Sequence, residues 1–238
     1  MQHSARPIIS FESVGKKFRR KEALRRISLE LAPGQIIGVI GTNGSGKSTL
    51  LKLIAGLLQP SSGQVHVNGK QVTRLTARDV AFLPDQDVFY EEFDLGRTVD
   101  FYASVYEDFD LQKAHELMEA FGLEPRQHAR RLSKGNRGRF KIVLALARRA
   151  PLIVMDEPLS GLDPLVRESI IHSIIANIDL EKQTLVLSTH EVDEVEPLLD
   201  RVLLISNGEL RGSETVEQIH AEYATGLVGW MKQQLAGK

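Results

Sequence analysis

The chain has 238 residues, 30 Lys and Arg against 31 Asp and Glu, a formal net charge of −1, and no cysteine. That length suits one large α/β domain or two small ones; the balanced charge gives no global field directed at nucleic acid or an anionic membrane, and the missing cysteines exclude disulfides and thiolate metal sites. Arg148 and Arg149 interrupt the longest apolar region and Met1 to Ser10 lacks an apolar core of signal-peptide length, so the chain is expected neither to span a membrane nor to be exported.

In chain order, strand-like alternation covers Ile8 to Val14 and Ala23 to Leu31, closed by the Pro33-Gly34 turn. Gln35 to Ile40 reads as an apolar strand, Leu50 to Leu58 as a helix, and Gly63 to Val67 as a strand ending at Asn68-Gly69. From Gly96 to Phe121 apolar residues recur at helical spacing, among them Val99, Tyr102, Val105, Leu111, Leu117, Met118 and Phe121, which predicts a small helical insert. Phe140 to Arg149 then reads as helix, Leu152 to Met155 as buried strand, Leu165 to Ile178 as helix and Thr184 to Ser188 as buried strand. A last strand, Val202 to Ile205, precedes Asn207-Gly208 and a helical tail from Glu214 to Leu235. Strands alternating with helices imply an α/β fold with a parallel sheet covered on both faces, and the early short strands imply an antiparallel sheet beside it.

The segment Gly41-Thr42-Asn43-Gly44-Ser45-Gly46-Lys47-Ser48-Thr49 lies between a strand and a helix and fits a phosphate-binding loop. Gly41, Gly44 and Gly46 permit a tight turn whose amides, with those of Asn43, Ser45 and Thr49, point at nucleotide phosphates. Lys47 would reach the β and γ phosphates, and the Ser48 hydroxyl would ligate Mg²⁺. Leu152 to Pro158 is an apolar strand running into two carboxylates, and in a parallel sheet ligands bind at that end of a strand. Asp156 is thus expected to hold the Mg²⁺ and Glu157 to activate the water attacking the γ phosphate.

With Leu132-Ser133-Lys134-Gly135-Asn136, Ser160-Gly161-Leu162-Asp163 and Ser188-Thr189-His190 added, the chain from about Ile8 to Leu210 resembles the nucleotide-binding subunit of an ATP-binding cassette (ABC) transporter. The resemblance implies a P-loop NTPase core with an antiparallel β subdomain over about 1–95 and 140–212, a helical subdomain over about 96–139 and a helical tail over 213–238. It implies that ATP is the substrate, hydrolysed by direct attack of water, and that two cassettes, identical or different, meet head to tail. Ser133 and Gly135 would then contact ATP held by the partner cassette, although Lys134 and Asn136 stand where Gly and Gln are usual. The local alternative for Ser133 is a cap on the following helix. By the same resemblance Asp163 would line the dimer interface, His190 would reach the γ phosphate, and Phe18 would stack on adenine. The glutamine position of the family falls on Asp85, with Gln86 one step later, and either is a candidate Mg²⁺ ligand.

Separate transmembrane permease subunits are implied as partners, with the cassette peripheral on the cytoplasmic face of the membrane and no nucleic acid bound. The acidic stretch Asp85, Asp87, Glu91, Glu92 and Asp94 is expected to receive a basic helix of such a subunit or to form a solvated loop face. Basic runs around Phe18 and around Ser133 could attract phosphates or lipid headgroups, and most of them are expected to be solvated surface. The compact insert and variant motifs look like bacterial exporter-type cassettes. The alternatives are a non-transport ABC ATPase coupled to a membrane or soluble regulatory partner and, against the signature and His190, a small-molecule phosphoryl transferase.

Overall fold

Two β-sheets share one helix. In a computed structural model, which describes residues 6–86, 89–90, 92–223 and 225–236, the first half of the chain forms β1 (Ile9–Phe18), β2 (Lys21–Leu31), β3 (Ile36–Ile40), α1 (Lys47–Ile54), β4 (Ser62–Val67), β5 (Lys70–Gln71), β6 (Val80–Leu83), α2 (Leu95–Val105) and α3 (Leu111–Ala120). The second half forms α4 (Lys134–Leu146), β7 (Leu152–Asp156), α5 (Pro164–Asn177), β8 (Thr184–Thr189), α6 (Val192–Val195), β9 (Arg201–Ser206), β10 (Glu209–Thr215), α7 (Val216–Glu222) and α8 (Gly226–Ala236). One sheet is antiparallel in the order β2-β1-β4-β5; the other runs β10-β9-β3-β8-β7-β6, parallel except for β10.

The parallel strands are apolar on both faces because both are covered. Ile37 and Val39 of β3 face a core shared with α1 and the antiparallel sheet, while Ile36 and Ile40 face a core shared with α4, α5 and α8. Val154 and Met155 of β7 divide the same way, as do Leu203 and Leu204 of β9. In α1, Leu50, Leu51, Leu53 and Ile54 are all buried, which no single-faced helix would show. Each such side chain contributes roughly 1.5–3 kcal/mol of transfer free energy, so α1 is held firmly between the sheets.

Several boundaries differ from the sequence reading for local reasons. Helix α1 stops at Ile54 rather than Leu58, since Gly56 adopts a left-handed φ of 72°. Helix α4 begins six residues before Phe140, because the Ser133 side chain caps it by accepting from the Asn136 amide at 3.2 Å. The tail is not helical from Glu214: β10 pairs with β9 as far as Thr215, whose hydroxyl forms a capping box with Gln218 and starts α7. Strand β6, a short edge strand beside β7, has too few residues to show a period. In the helical insert Val99, Leu117, Met118 and Phe121 are buried, whereas Val105 and Leu111 are exposed at a helix end and a helix start. Among the described residues no helix is long and apolar enough to cross a membrane.

Candidate functional site

Strands β3, β8 and β7 are neighbours, so their carboxyl ends finish at one level: Ile40 pairs with Thr189, and Asp156 with Ser188. The segments that follow them, Gly41 to Thr49, Glu157 and His190, therefore meet at one edge of the sheet. On the far side of β7, the pairing of Leu83 with Met155 delivers Asp85 and Gln86 to the same edge.

The glycine loop is wedged against its surroundings. Gly41 has φ 151°, and a Cβ there would run into the Ile205 carbonyl; a Cβ on Gly46, φ 119°, would stand 2.8 Å from the Ala23 carbonyl oxygen. At Gly44, φ 79°, nothing lies within 4 Å of that position, so this glycine opens onto the cleft. Gly46 precedes α1 with no side-chain cap, which leaves the first amides of the helix available to an anion. The Ser45 hydroxyl is buried and, among the described residues, has no hydrogen-bond partner. An orphaned donor and an uncapped helix start suit phosphate oxygens. Lys47, 5% exposed, donates from Nζ to the Gly41 carbonyl at 2.8 Å and lies 3.1 Å from Glu157 Oε1.

Asp156 is buried, and its Oδ1 accepts from Ser188 Oγ at 2.7 Å and from Ser48 Oγ at 2.9 Å. The same Ser188 oxygen accepts from the Glu157 amide at 2.9 Å. Glu157 has φ 49°, a left-handed backbone that costs a non-glycine residue about 1–2 kcal/mol. That turn brings Glu157 Oε2 to 2.8 Å from His190 Nδ1. Strain at this position is held by the Ser188 bond and aims the carboxylate.

One cleft is lined by Phe18, Asn43, Gly44, Gly46, Lys47, Ser48, Thr49, Asp85, Glu157 and His190, together with Lys21, Ala23 and Ser160. Phe18 ends β1 and is 44% exposed, with the Lys16 ammonium 5.0 Å from the centre of its ring. Gln86 lines a second cleft instead, with Lys134, Arg137, Lys141 and Glu157; Asp85 lines both, and its carbonyl accepts from Lys141 at 2.6 Å. Ser133, Gly135 and Asp163 do not line the first cleft. Ser133 caps α4, Gly135 leaves room for Val166 of α5, and Asp163 caps α5 by accepting from the Val166 amide at 3.1 Å. In the acidic stretch, Asp87 and Glu91 lie outside the described residues, and Asp94 caps α2 by accepting from the Arg97 amide at 2.7 Å.

Sequence reasoning gave no role to Ser188 or Arg167. The signal for Ser188 was a hydroxyl inside an otherwise apolar buried strand, which needs a polar partner in the interior. Arg167 lies in the first turns of α5 and carried no such mark.

Residues 24–160 match the family model described as ABC transporter, more than half of the chain. The chain belongs to the ABC transporter family. It is similar to the aliphatic sulfonates import ATP-binding protein SsuB of Albidiferax ferrireducens, 35% identical over 212 residues, covering 85% of this chain and 72% of that protein. The ATP-binding subunit of an ABC transporter has the same fold, with TM-score 0.83, 24% identity, and coverage of 96% of this chain and 98% of that one. So has a dimeric ATP-binding cassette in a post-hydrolysis state bound to ADP and Pi, with TM-score 0.78, 22% identity, and coverage of 87% and 98%. This ABC subunit binds ATP and hydrolyses it to ADP and phosphate to energise transport.

Proposed function

We propose that the first cleft holds ATP with its adenine against Phe18 and its phosphates in the loop from Gly41 to Thr49. The observation that carries the assignment is the placement of the Glu157 carboxylate between Lys47 and His190, directly beside the Ser48–Asp156 hydrogen bond. The loop amides and Lys47 neutralise charge on the transferred phosphoryl group. Glu157 holds the attacking water and accepts its proton, while His190 fixes the carboxylate through its 2.8 Å contact and faces the γ phosphate. The water oxygen bonds to the γ phosphorus, the bond to the ADP oxygen breaks, and no covalent enzyme intermediate forms.

The hydroxyl of Ser48 and the carboxylate of Asp156 form an all-oxygen donor pair that fits Mg²⁺, with Asp85 a further candidate and Gln86 a weaker one because of its different cleft. When bound, Mg²⁺ supplies charge stabilisation to the β and γ phosphates. Among the described residues no cluster of three or more His, Asp or Glu could hold a metal unaided, which fits an ion that shares its shell with phosphate and water.

Two cassettes pair head to tail, so that Ser133 and Gly135 of one close on the ATP of the other and Asp163 lies between them. Support comes from the position of these three outside their own chain's cleft and from the dimeric neighbour. The insertion of α2 and α3 between β6 and β7 supports a core over about 1–95 and 140–212, a helical subdomain over about 96–139, which α4 overruns, and a tail over 213–238. Separate permease subunits supply the membrane pathway, with the cassette docked on their cytoplasmic side. The test is phosphate release by the purified chain, followed by capture of ATP-loaded Glu157→Gln protein from native cells. Absence of release from a folded dimer sinks the catalytic assignment; recovery of only soluble proteins sinks the permease assignment.

A further inference from the structure

Arg167 projects from the first turns of α5 and is 12% exposed, between two loops that border the site. Its Nη2 donates to the Leu162 carbonyl at 3.1 Å and lies 3.0 Å from Glu191 Oε2, while Nη1 is ion-paired with Glu194. The other oxygen of Glu191 is 3.8 Å from His190 Nε2. His190 in turn contacts Glu157, and Glu157 contacts Lys47. A series of polar groups therefore runs from the loop ahead of α5, through one guanidinium and the 3.8 Å approach of Glu191 to His190, to the site proposed to activate water.

The connection is costly to build. Arg167 Nε and Glu194 Oε2 are both buried without a partner among the described residues. Glu191 and Glu194 keep 35% and 34% of their side chains exposed, where ion pairs add little to stability, so the cluster calls for a reason other than stability. Its position suggests one. Gly135 of α4 leaves room for Val166, the residue before Arg167, and Asp163 caps the same helix end. The start of α4, the loop at 158–163 and the loop at 190–191 all converge on residues 166–167. A planar guanidinium can hold three acceptors in fixed directions at once, which an ammonium cannot.

We infer that Arg167 is a positioning residue that ties the placement of His190, and through it Glu157, to the loop at 158–163. The inference rests on the head-to-tail pairing proposed above for its purpose: that loop carries Asp163, so contact with the partner cassette reaches the hydrolytic centre of its own chain through Arg167. Hydrolysis thereby becomes conditional on closure.

The test uses Arg167→Ala, Arg167→Lys and Glu191→Gln. The last keeps the Arg167–Glu194 pair and the bond to Leu162 and neutralises the carboxylate that stands between Arg167 and His190, so it separates positioning from folding. Arg167→Ala and Glu191→Gln are expected to lower kcat by roughly tenfold or more, with the Kd for a fluorescent ATP analogue within about twofold of the parent, and Arg167→Lys to rescue only partly. The nitrogen-15 resonances of the His190 ring, recorded without ATP, are expected to shift in all three variants. An unmoved His190 resonance, or an unchanged kcat in folded Glu191→Gln, overturns the inference. The resonance needs no turnover, so an inactive parent protein would count against the catalytic assignment while this measurement still decides the role of Arg167.

Discussion

Glu157 Oε1 lies 3.1 Å from the Lys47 ammonium, so the group proposed to activate water is paired with the group proposed to grip phosphate. Incoming phosphates must compete with a carboxylate for the same cation. Glu157→Gln removes that competitor along with the base. Hydrolysis is expected to fall by about 10²–10⁴-fold while ATP binds at least as tightly as before. Phosphate release and equilibrium binding, measured on the same preparation, check both halves, and a matching loss of affinity would contradict the pairing argument.

Two glycines of one loop are expected to respond differently to a single methyl group. Gly41→Ala places Cβ against the Ile205 carbonyl and should prevent the loop from forming, with loss of folded yield. At Gly44 nothing lies within 4 Å, so Gly44→Ala should cost only the backbone strain of about 1–2 kcal/mol and act mainly by obstructing the nucleotide. Thermal melting with and without ATP separates the two.

Ser188→Ala should weaken the protein by about 1–3 kcal/mol, because the Asp156 carboxylate and the Glu157 amide both lose a buried partner. Urea denaturation measures the loss. A fall in kcat is expected as well, since the Ser188 hydroxyl holds the strained turn that aims Glu157.

Asp110 caps α3, accepting from the Lys113 amide at 3.0 Å and from Arg149 at 2.9 Å, and these contacts, the amide first, hold its carboxyl below the ordinary carboxylate range. A depressed folded value means stability that is present above the unfolded value of about 3.9 and lost as the pH falls through the lower folded one. Asp110→Ala should therefore cost about 1 kcal/mol at neutral pH, and the gap from the parent should narrow in acid. Denaturation midpoints at neutral and acid pH report the difference.

The parallel core was legible because burial on both faces writes unbroken apolar strands, and each of β3, β7 and β8 ends in a polar motif. The ends of those strands therefore anticipated that the glycine loop, Asp156 and Glu157 would meet, and the family resemblance added His190 to them. Strand β6 was not legible, since four residues carry too little pattern, and the tail was misread where β10 continues through Glu214 before a threonine cap starts the helix. The contacts of Ser188 and Arg167 were hidden for another reason: they depend on strand register and on two loops meeting over α5, neither of which is written in local sequence.

The two sheets reach the cleft from opposite sides. Phe18 arrives at the end of the antiparallel sheet, while Lys47, Glu157 and His190 arrive from the parallel one, with α1 packed between. A nucleotide bound as proposed would lie across that seam as a rivet, fastening base to one sheet and phosphates to the other. Ligand binding adds to folding stability by mass action, and here the gain is expected to concentrate at the seam: hydrogen exchange in the β1–β2 hairpin should slow on loading with ATP.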